Sequence, residues 1–341
     1  MNPLILSLLV TSLSTSTIIT MSSNHWLLAW LGLELNTLSI LPMIMKQNHP
    51  RSTEATTKYF LVQAIAATLI LCATTLNTWQ TGQWTILHTP SPTTMTLLTL
   101  AIALKLGVAP LHLWYPDVMQ GATIPTAMLI STWQKIAPLA LLMMMHNHLN
   151  TTILMTLGLT SALLGGWTGL NQTQTRKIMA FSSIAHTGWL MMALSLSQEL
   201  TTLTMILYMT MTTTLFFSLT TTTTKTISDM GTAWPHSPTL MTMTMLTLMS
   251  LGGLPPLTGF MPKWLIMKEL TFTPTICTLM LLASLPSLFF YTRLAYLTVL
   301  TTPPTTTNTE HKWRHNTQLK PNTMLITPIS LLLIPMTPLL Y

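Results

Sequence analysis

The sequence predicts an all-α polytopic membrane protein of about eleven transmembrane helices, two of them discontinuous. Three observations carry that prediction. Asp, Glu, Lys and Arg make up only 6% of 341 residues, far below the roughly 25% of soluble domains. Hydrophobic residues make up 49%, the mean hydropathy is +0.52, and apolar runs of about 20 residues, enough to cross a bilayer, recur along the chain. Two of the runs are longer than one span and are interrupted by Gly and Pro.

Pro, Asn and charge punctuation divides the apolar runs into successive helices. The first, 3–21, follows no basic n-region and no Arg-rich leader, so it is expected to stay as a span. The second, 25–45, carries Glu34 and Pro42 and ends at a loop with Lys46 and Arg51. The third is 58–79. The fourth, 94–120, is interrupted within Lys105-Leu-Gly-Val-Ala-Pro110, and the fifth, 123–145, holds Lys135 and Pro138. The sixth, 151–171, runs up to Arg176 and Lys177; the seventh, 178–196, contains Ser182-Ser-Ile-Ala-His186; the eighth, 201–221, stops before Lys225. The ninth, 238–271, is interrupted within Leu251-Gly-Gly-Leu-Pro-Pro-Leu-Thr-Gly-Phe-Met-Pro-Lys263, and 274–298 and 323–340 complete the set. The whole chain, 1–341, reads as one transmembrane domain with a first five-helix unit at 1–145, a second at 151–298, and a loop with a terminal helix at 299–341.

Alternating the loops puts Lys46, Arg51, Lys58, Arg176, Lys177, Lys225, Lys312, Arg314 and Lys320 on one face, with Arg293 near it and Lys268 near the other. By the positive-inside rule that face, and the N-terminus with it, lies on the cytoplasmic or matrix side. The formal charge of +7 therefore reads as topology. No basic stripe is interleaved with aromatics, so no nucleic-acid partner is expected. Cys72 and Cys277 are far apart and read as two buried small hydrophobes, with no Cys-x-x-Cys or iron–sulfur ligand set. His146 and His148 fall in a loop and no bound metal is expected; no Gly-x-Gly-x-x-Gly or phosphate loop implies a nucleotide. The many threonines are expected to bond back to their own helices rather than form a site.

The two interruptions match. Gly107, Pro110 and Pro116 recur at the same spacing as Gly253, Pro256 and Pro262. A duplicated unit of about five helices, an odd number, places its two copies in opposite orientation, an inverted repeat. Proline removes the bond to the carbonyl four residues back, so Pro110, Pro256, Pro138 and Pro42 release the carbonyls of Leu106, Gly252, Gln134 and Leu38. Freed groups at membrane depth persist only where protein or water satisfies them. Each lies within about two turns of a charge, which favours hydrated kinks over plain proline bends.

An ionisable group at membrane depth costs at least ~2.5 kcal/mol, so it marks a candidate ion or proton path. Glu34 has no charge on its own helix and needs a cationic partner to stay ionised; Lys105 is the candidate. Lys135 has no acidic partner in its span, the setting for a relay lysine, and lies too deep to reach a headgroup region. Lys263 lies beyond the second break, where snorkelling competes with a buried role, while Lys268 and Glu269 read as interface anchors. His112 and His186 are further candidates, since histidine passes protons near neutral pH, though a backbone-bonded structural histidine explains either equally well.

These residues resemble the antiporter-like membrane subunits of respiratory complex I. The matching stretches are His25-Trp-Leu-Leu-Ala-Trp-Leu-Gly-Leu-Glu34, Pro50-Arg-Ser-Thr-Glu-Ala-Thr-Thr-Lys-Tyr-Phe60, Leu104-Lys-Leu-Gly-Val-Ala-Pro110, Thr132-Trp-Gln-Lys-Ile-Ala-Pro138, Leu170 to Ala180 with Ser182 to His186, and Gly252 to Lys263. They cover most of the chain in order, and little signal follows Thr301. The resemblance implies an antiporter-like fold in which Glu34 pairs with Lys105, Lys135 is the central relay lysine and Lys263 passes protons onward. It further implies a multi-pass subunit of the mitochondrial inner membrane, N-terminus towards the matrix, in an assembly that couples NADH oxidation by ubiquinone to proton export. Its partners would be other membrane-arm subunits and phospholipid, with flavin and iron–sulfur clusters in other subunits and no cofactor in this chain. Relatives with fourteen spans start three helices earlier, and Asp117 stands where close relatives often carry Glu.

Two rival readings remain open at this level. A free-standing cation/proton antiporter calls for a further carboxylate-rich sodium site, and only Glu34 is available at depth. A structural spacer without its own proton path has the same charges, because static and relay charges look alike in a sequence.

Overall fold

The computed structural model describes residues 2–45, 49–86, 91–234 and 237–300, together with 327, 328, 330 and 331. Among these the chain is helical, with no β-strand beyond isolated bridges at His25–Thr85 and Gln174–Thr226. Among the described residues, seven helical stretches are long and apolar enough to cross a membrane. The chain divides into two compact units, Met1–Gly158 and Leu159–Tyr341.

The first unit contains α1 (Pro3–Ser22), α2 (Trp26–Ile44), α3 (Pro50–Thr81), α4 (Pro92–Leu106), α5 (Trp114–Gly121), α6 (Ile124–Ser131) and α7 (Ile136–Met144). Starts are set by local chemistry: Asn2, His25 and His49 accept backbone N–H bonds at the N-caps, and Pro occupies the first turn of α1, α3 and α4. At 32 residues α3 is about 48 Å long, so its first turns, with Arg51, Glu54 and Lys58, outrun a ~30 Å hydrocarbon core. The fourth expected span is α4 and α5 separated by a turn. The fifth is also divided: α6 and α7 meet at a tight 3-10 turn, Trp133–Lys135. Pro138 has no N–H for the Gln134 carbonyl, and the chain tightens there. Pro42, by contrast, lies within an unbroken α2.

A further helix, α8 (Thr151–Gly169), runs across the division. The second unit continues with α9 (Thr175–Leu196), α10 (Gln198–Thr222), α11 (Ile227–Thr232), α12 (Pro238–Gly252), α13 (Phe260–Glu269) and α14 (Pro274–Ala295). The ninth expected span is the α12–α13 pair. α11 is a short loop helix closed by a reciprocal cap between Thr226 and Asp229. Threonine hydroxyls do bond back along their helices; those of Thr220 and Thr221 donate to the carbonyls of Phe217 and Ser218 at 2.7 Å. The expected burial of both cysteines is corrected: Cys72 is exposed and Cys277 half-buried, because each sits on an outward helix face. Lys46, Lys312, Arg314 and Lys320 lie outside the described residues, as does the terminal helix apart from 327, 328, 330 and 331, which are helical.

Candidate functional site

In the first unit, α4 ends one residue beyond Lys105. Gly107 takes a left-handed φ of +70°, which only glycine adopts without strain. Its N–H donates to the Leu104 carbonyl at 3.2 Å, and Val108 N–H donates to the Ala103 carbonyl at 3.0 Å. This paired closure stops the helix and turns the chain, fixing Lys105 in the last turn. There the negative end of the helix dipole favours a cation.

Lys105 is buried, and its Nζ lies 4.0 Å from Glu34 Oε1 on α2. This is an ion pair at the limit of contact, with no hydrogen bond to either atom among the described residues. The other Glu34 oxygen accepts the Thr37 hydroxyl at 3.2 Å. Gln63 on α3 donates to the Lys105 carbonyl at 3.5 Å. Gln134 donates to Asn36 Oδ1 at 3.1 Å, tying α2 to the 3-10 turn. On that turn Lys135, also buried, points over the Tyr115 ring with Nζ 5.3 Å from its centroid, a cation–π contact.

Lys105 and Lys135 line the same cavity, walled also by Asn36, Tyr59, Gln63, Tyr115 and Gln134. The cavity has room for about one water, with polar groups to hold it.

The second unit repeats the broken helix with a different lysine. Gly253 has φ +83°; its N–H donates to the Ser250 carbonyl at 3.0 Å, and Leu254 N–H donates to the Met249 carbonyl at 3.4 Å. Where the first unit has its lysine before the break, this one has it after. Lys263, on α13, turns back and donates from Nζ to the Gly252 carbonyl at 2.9 Å, the last carbonyl of α12, which the helix end leaves without a helical partner. It is buried, which excludes snorkelling, and its Nζ lies 5.8 Å from the Trp189 ring centroid. A second cavity, of similar size, is lined by Lys263, His186, Trp189 and Tyr208. His186 Nε2 lies 3.5 Å from the Tyr291 hydroxyl.

The expected site residues therefore fall into two groups: Glu34, Lys105 and Lys135 in one unit, and Lys263 and His186 in the other. His112 is buried but lines neither cavity, and its Nδ1 has no hydrogen-bond partner among the described residues. Asp117, in the first turn of α5, pairs at 2.7 Å with Lys58, which also reaches Glu54 at 2.7 Å. The sequence analysis did not single out the side-chain amides of Gln63, Asn36 and Gln134, although an amide inside an apolar run is a usable signal. Nothing in the sequence distinguishes Tyr115 or Trp189 from ordinary core aromatics.

Two broken helices with buried lysines at the breaks define the antiporter-like class of helical membrane proteins. Residues 23–289 match the family model described as NADH:quinone oxidoreductase/Mrp antiporter, transmembrane, and 288–341 that of the NADH dehydrogenase subunit 2 C-terminus. Relatives named NADH-ubiquinone oxidoreductase chain 2 include that of Gallus gallus, 51% identical over 100% of this chain and 99% of its own length. That of Carassius auratus is 50% identical over 99% of this chain and 98% of its own. A chain of respiratory complex I from Thermus thermophilus has the same fold, with TM-score 0.81 at 24% identity over 96% of this chain and 79% of that one. The chain belongs to the NADH-ubiquinone oxidoreductase chain 2 family.

Proposed function

We propose that this chain is a proton-translocating membrane subunit of respiratory complex I, coupling electron transfer from NADH to ubiquinone to proton export across the mitochondrial inner membrane. The observation that carries the reading is the shared cavity: Lys105 and Lys135 border one water-sized space that Asn36, Gln63 and Gln134 also line, and Glu34 lies 4.0 Å from Lys105. Full-length identity of about half to relatives of that name supports the assembly. The basic loops favour an N-terminus on the matrix side. Other membrane-arm subunits and phospholipid surround the chain, and flavin and iron–sulfur clusters belong to other subunits.

The step is electrostatic. A charge arriving near Glu34 loosens its hold on Lys105, and the Lys105 ammonium acts across the cavity on Lys135. At an effective dielectric of about 20, moving one unit charge from about 4 to about 8 Å changes an interaction by roughly 2 kcal/mol, more than a tenfold change in a protonation equilibrium. Lys135 then gives its proton to the cavity water. Lys263 and His186 perform the onward exchange in the second unit, where the Gly252 carbonyl and the Trp189 face take the place of a carboxylate.

The test is Lys135→Met in the assembled complex, scored as protons exported per NADH oxidised in sealed vesicles. Normal assembly with a lowered ratio, or with NADH oxidation stalled, supports the relay. An unchanged ratio at normal assembly overturns it and leaves a spacer role.

A further inference from the structure

The relay uses the Gly252 carbonyl but not Gly253, the glycine that follows it at the second broken helix. The last carbonyls of any α-helix lack intrahelical partners, and the negative dipole end there attracts a cation. At the end of α12 the cation is supplied by the chain itself: Lys263 Nζ sits 2.9 Å from the Gly252 carbonyl. The lysine reaches it by passing directly over Gly253. A methyl placed on that residue would lie 2.9 Å from Nζ, 3.1 Å from Cδ and 3.2 Å from Cε of Lys263. A side chain at 253 would therefore crowd the far half of the lysine stem, and the ammonium end would have to give way.

Two other left-handed glycines show that the backbone turn does not itself create this arrangement. Gly107, with φ +70° at the first break, faces the Tyr115 and Trp114 rings at 3.3 and 3.4 Å. Gly82, with φ +72° at the end of α3, has nothing within 4 Å of an added methyl among the described residues. All three carry the same conformational cost for an alanine; only at Gly253 does the methyl meet an ammonium.

We infer that the broken end of α12 is a seat for the Lys263 ammonium, and that Gly253 is the positioning residue that admits the lysine to it. The overlap is with the far end of a flexible side chain, so an alanine displaces the ammonium rather than the helices. The seat also discriminates between states of the lysine. A charged ammonium gains from the dipole end, and a neutral amine loses that attraction, which frees Nζ to move towards His186 and Tyr208 in the cavity that all three line. Gly253 thus sets where the onward proton is held between transfers.

This rests on the functional reading above, and the experiment separates the two. Protons exported per NADH oxidised are compared in assembled complexes carrying Gly253→Ala, Lys263→Ala, both together, and Gly82→Ala. The inference expects Gly253→Ala to lower the ratio by the same fraction as Lys263→Ala, the double variant to fall no further, and Gly82→Ala to match the parent. Should Gly253→Ala impair assembly, restoration by Lys263→Ala supports the inference, since removing the lysine removes the overlap; failure to restore overturns it. A parental ratio in Gly253→Ala at normal assembly overturns the inference while a low ratio in Lys263→Ala leaves the functional reading standing. A drop of equal size in the Lys263→Ala background also overturns it, because the glycine would then act on something other than the lysine. A parental ratio in Lys263→Ala removes this lysine from the relay, and the inference goes with it.

Discussion

Replacing Glu34 by Gln removes the carboxylate that, among the described residues, pairs with Lys105, and leaves the size of the side chain unchanged. At 4.0 Å and an effective dielectric of about 20, the attraction lost is about 4 kcal/mol. The Glu34 side chain retains 23% exposure against 2% for Lys105, so solvent screening and desolvation reduce the coupling to about 2 kcal/mol. That is a factor of about 30 in a rate or population. The assay is a double-mutant cycle on coupled NADH oxidation by the assembled complex, with Glu34→Gln, Lys105→Met and the pair, each normalised to the amount assembled. Each single variant is expected to reduce coupled turnover, Glu34→Gln because it leaves a buried ammonium without its counter-charge. The double variant is expected to be about 30-fold better than the product of the two single losses, since removing both partners removes the uncompensated charge. If the losses multiply, the 4.0 Å approach carries no energetic coupling, and the electrostatic step at this pair is refuted.

Two further outcomes concern groups outside the relay. Asp117→Asn breaks the contact between α5 and Lys58; because all the partners are solvent-exposed, the loss in thermal stability is expected to be small, visible at low salt and erased at high salt, as read by inactivation temperature at two ionic strengths. Asp229→Ala removes the reciprocal cap of α11 and is expected to cost about 1 kcal/mol locally, read as faster hydrogen exchange over 225–232. In the parent, the Thr226 N–H, foremost, and the Lys225 N–H hold the Asp229 carboxyl below the usual carboxylate range. Its folded value being depressed, the contribution is complete above the ordinary range and is lost as pH falls below that range towards the depressed value. Exchange protection, corrected for intrinsic rates, should follow that window; protection unchanged across it would show that the cap does not hold the turn.

The parts of the fold legible in the sequence are those set by local chemistry. The breaks at Gly107 and Gly253 follow from a glycine that can turn left-handed and prolines that lack an N–H, and both appear with the same pair of closing hydrogen bonds. Pro42 and Pro138 show where local chemistry stops deciding. Each removes one helical bond, yet α2 runs on through Pro42 while the chain at Pro138 tightens into a 3-10 turn holding Lys135. The difference lies in what surrounds them: Gln134, at the second, is engaged by Asn36 from another helix. Cys72 failed as a core prediction because hydrophobicity in a membrane chain does not distinguish an inward from an outward face.

The sequence by itself determined that buried charges and broken helices coincide, because insertion cost and backbone satisfaction act on every residue in lipid wherever its neighbours are. Only the tertiary structure decided which groups those charges meet. Glu34 and Lys105 come from different helices, Lys135 is joined to Lys105 by a cavity that several elements build, and its aromatic partner Tyr115 lies on a short helix beyond the first break. Lys263 is the instructive case, since its partner is only 11 residues away. The sequence supplied the lysine and the freed Gly252 carbonyl. The turn between α12 and α13 brought the side chain back over Gly253, because a hydrogen-bond partner within lipid is chosen by where the folded backbone points.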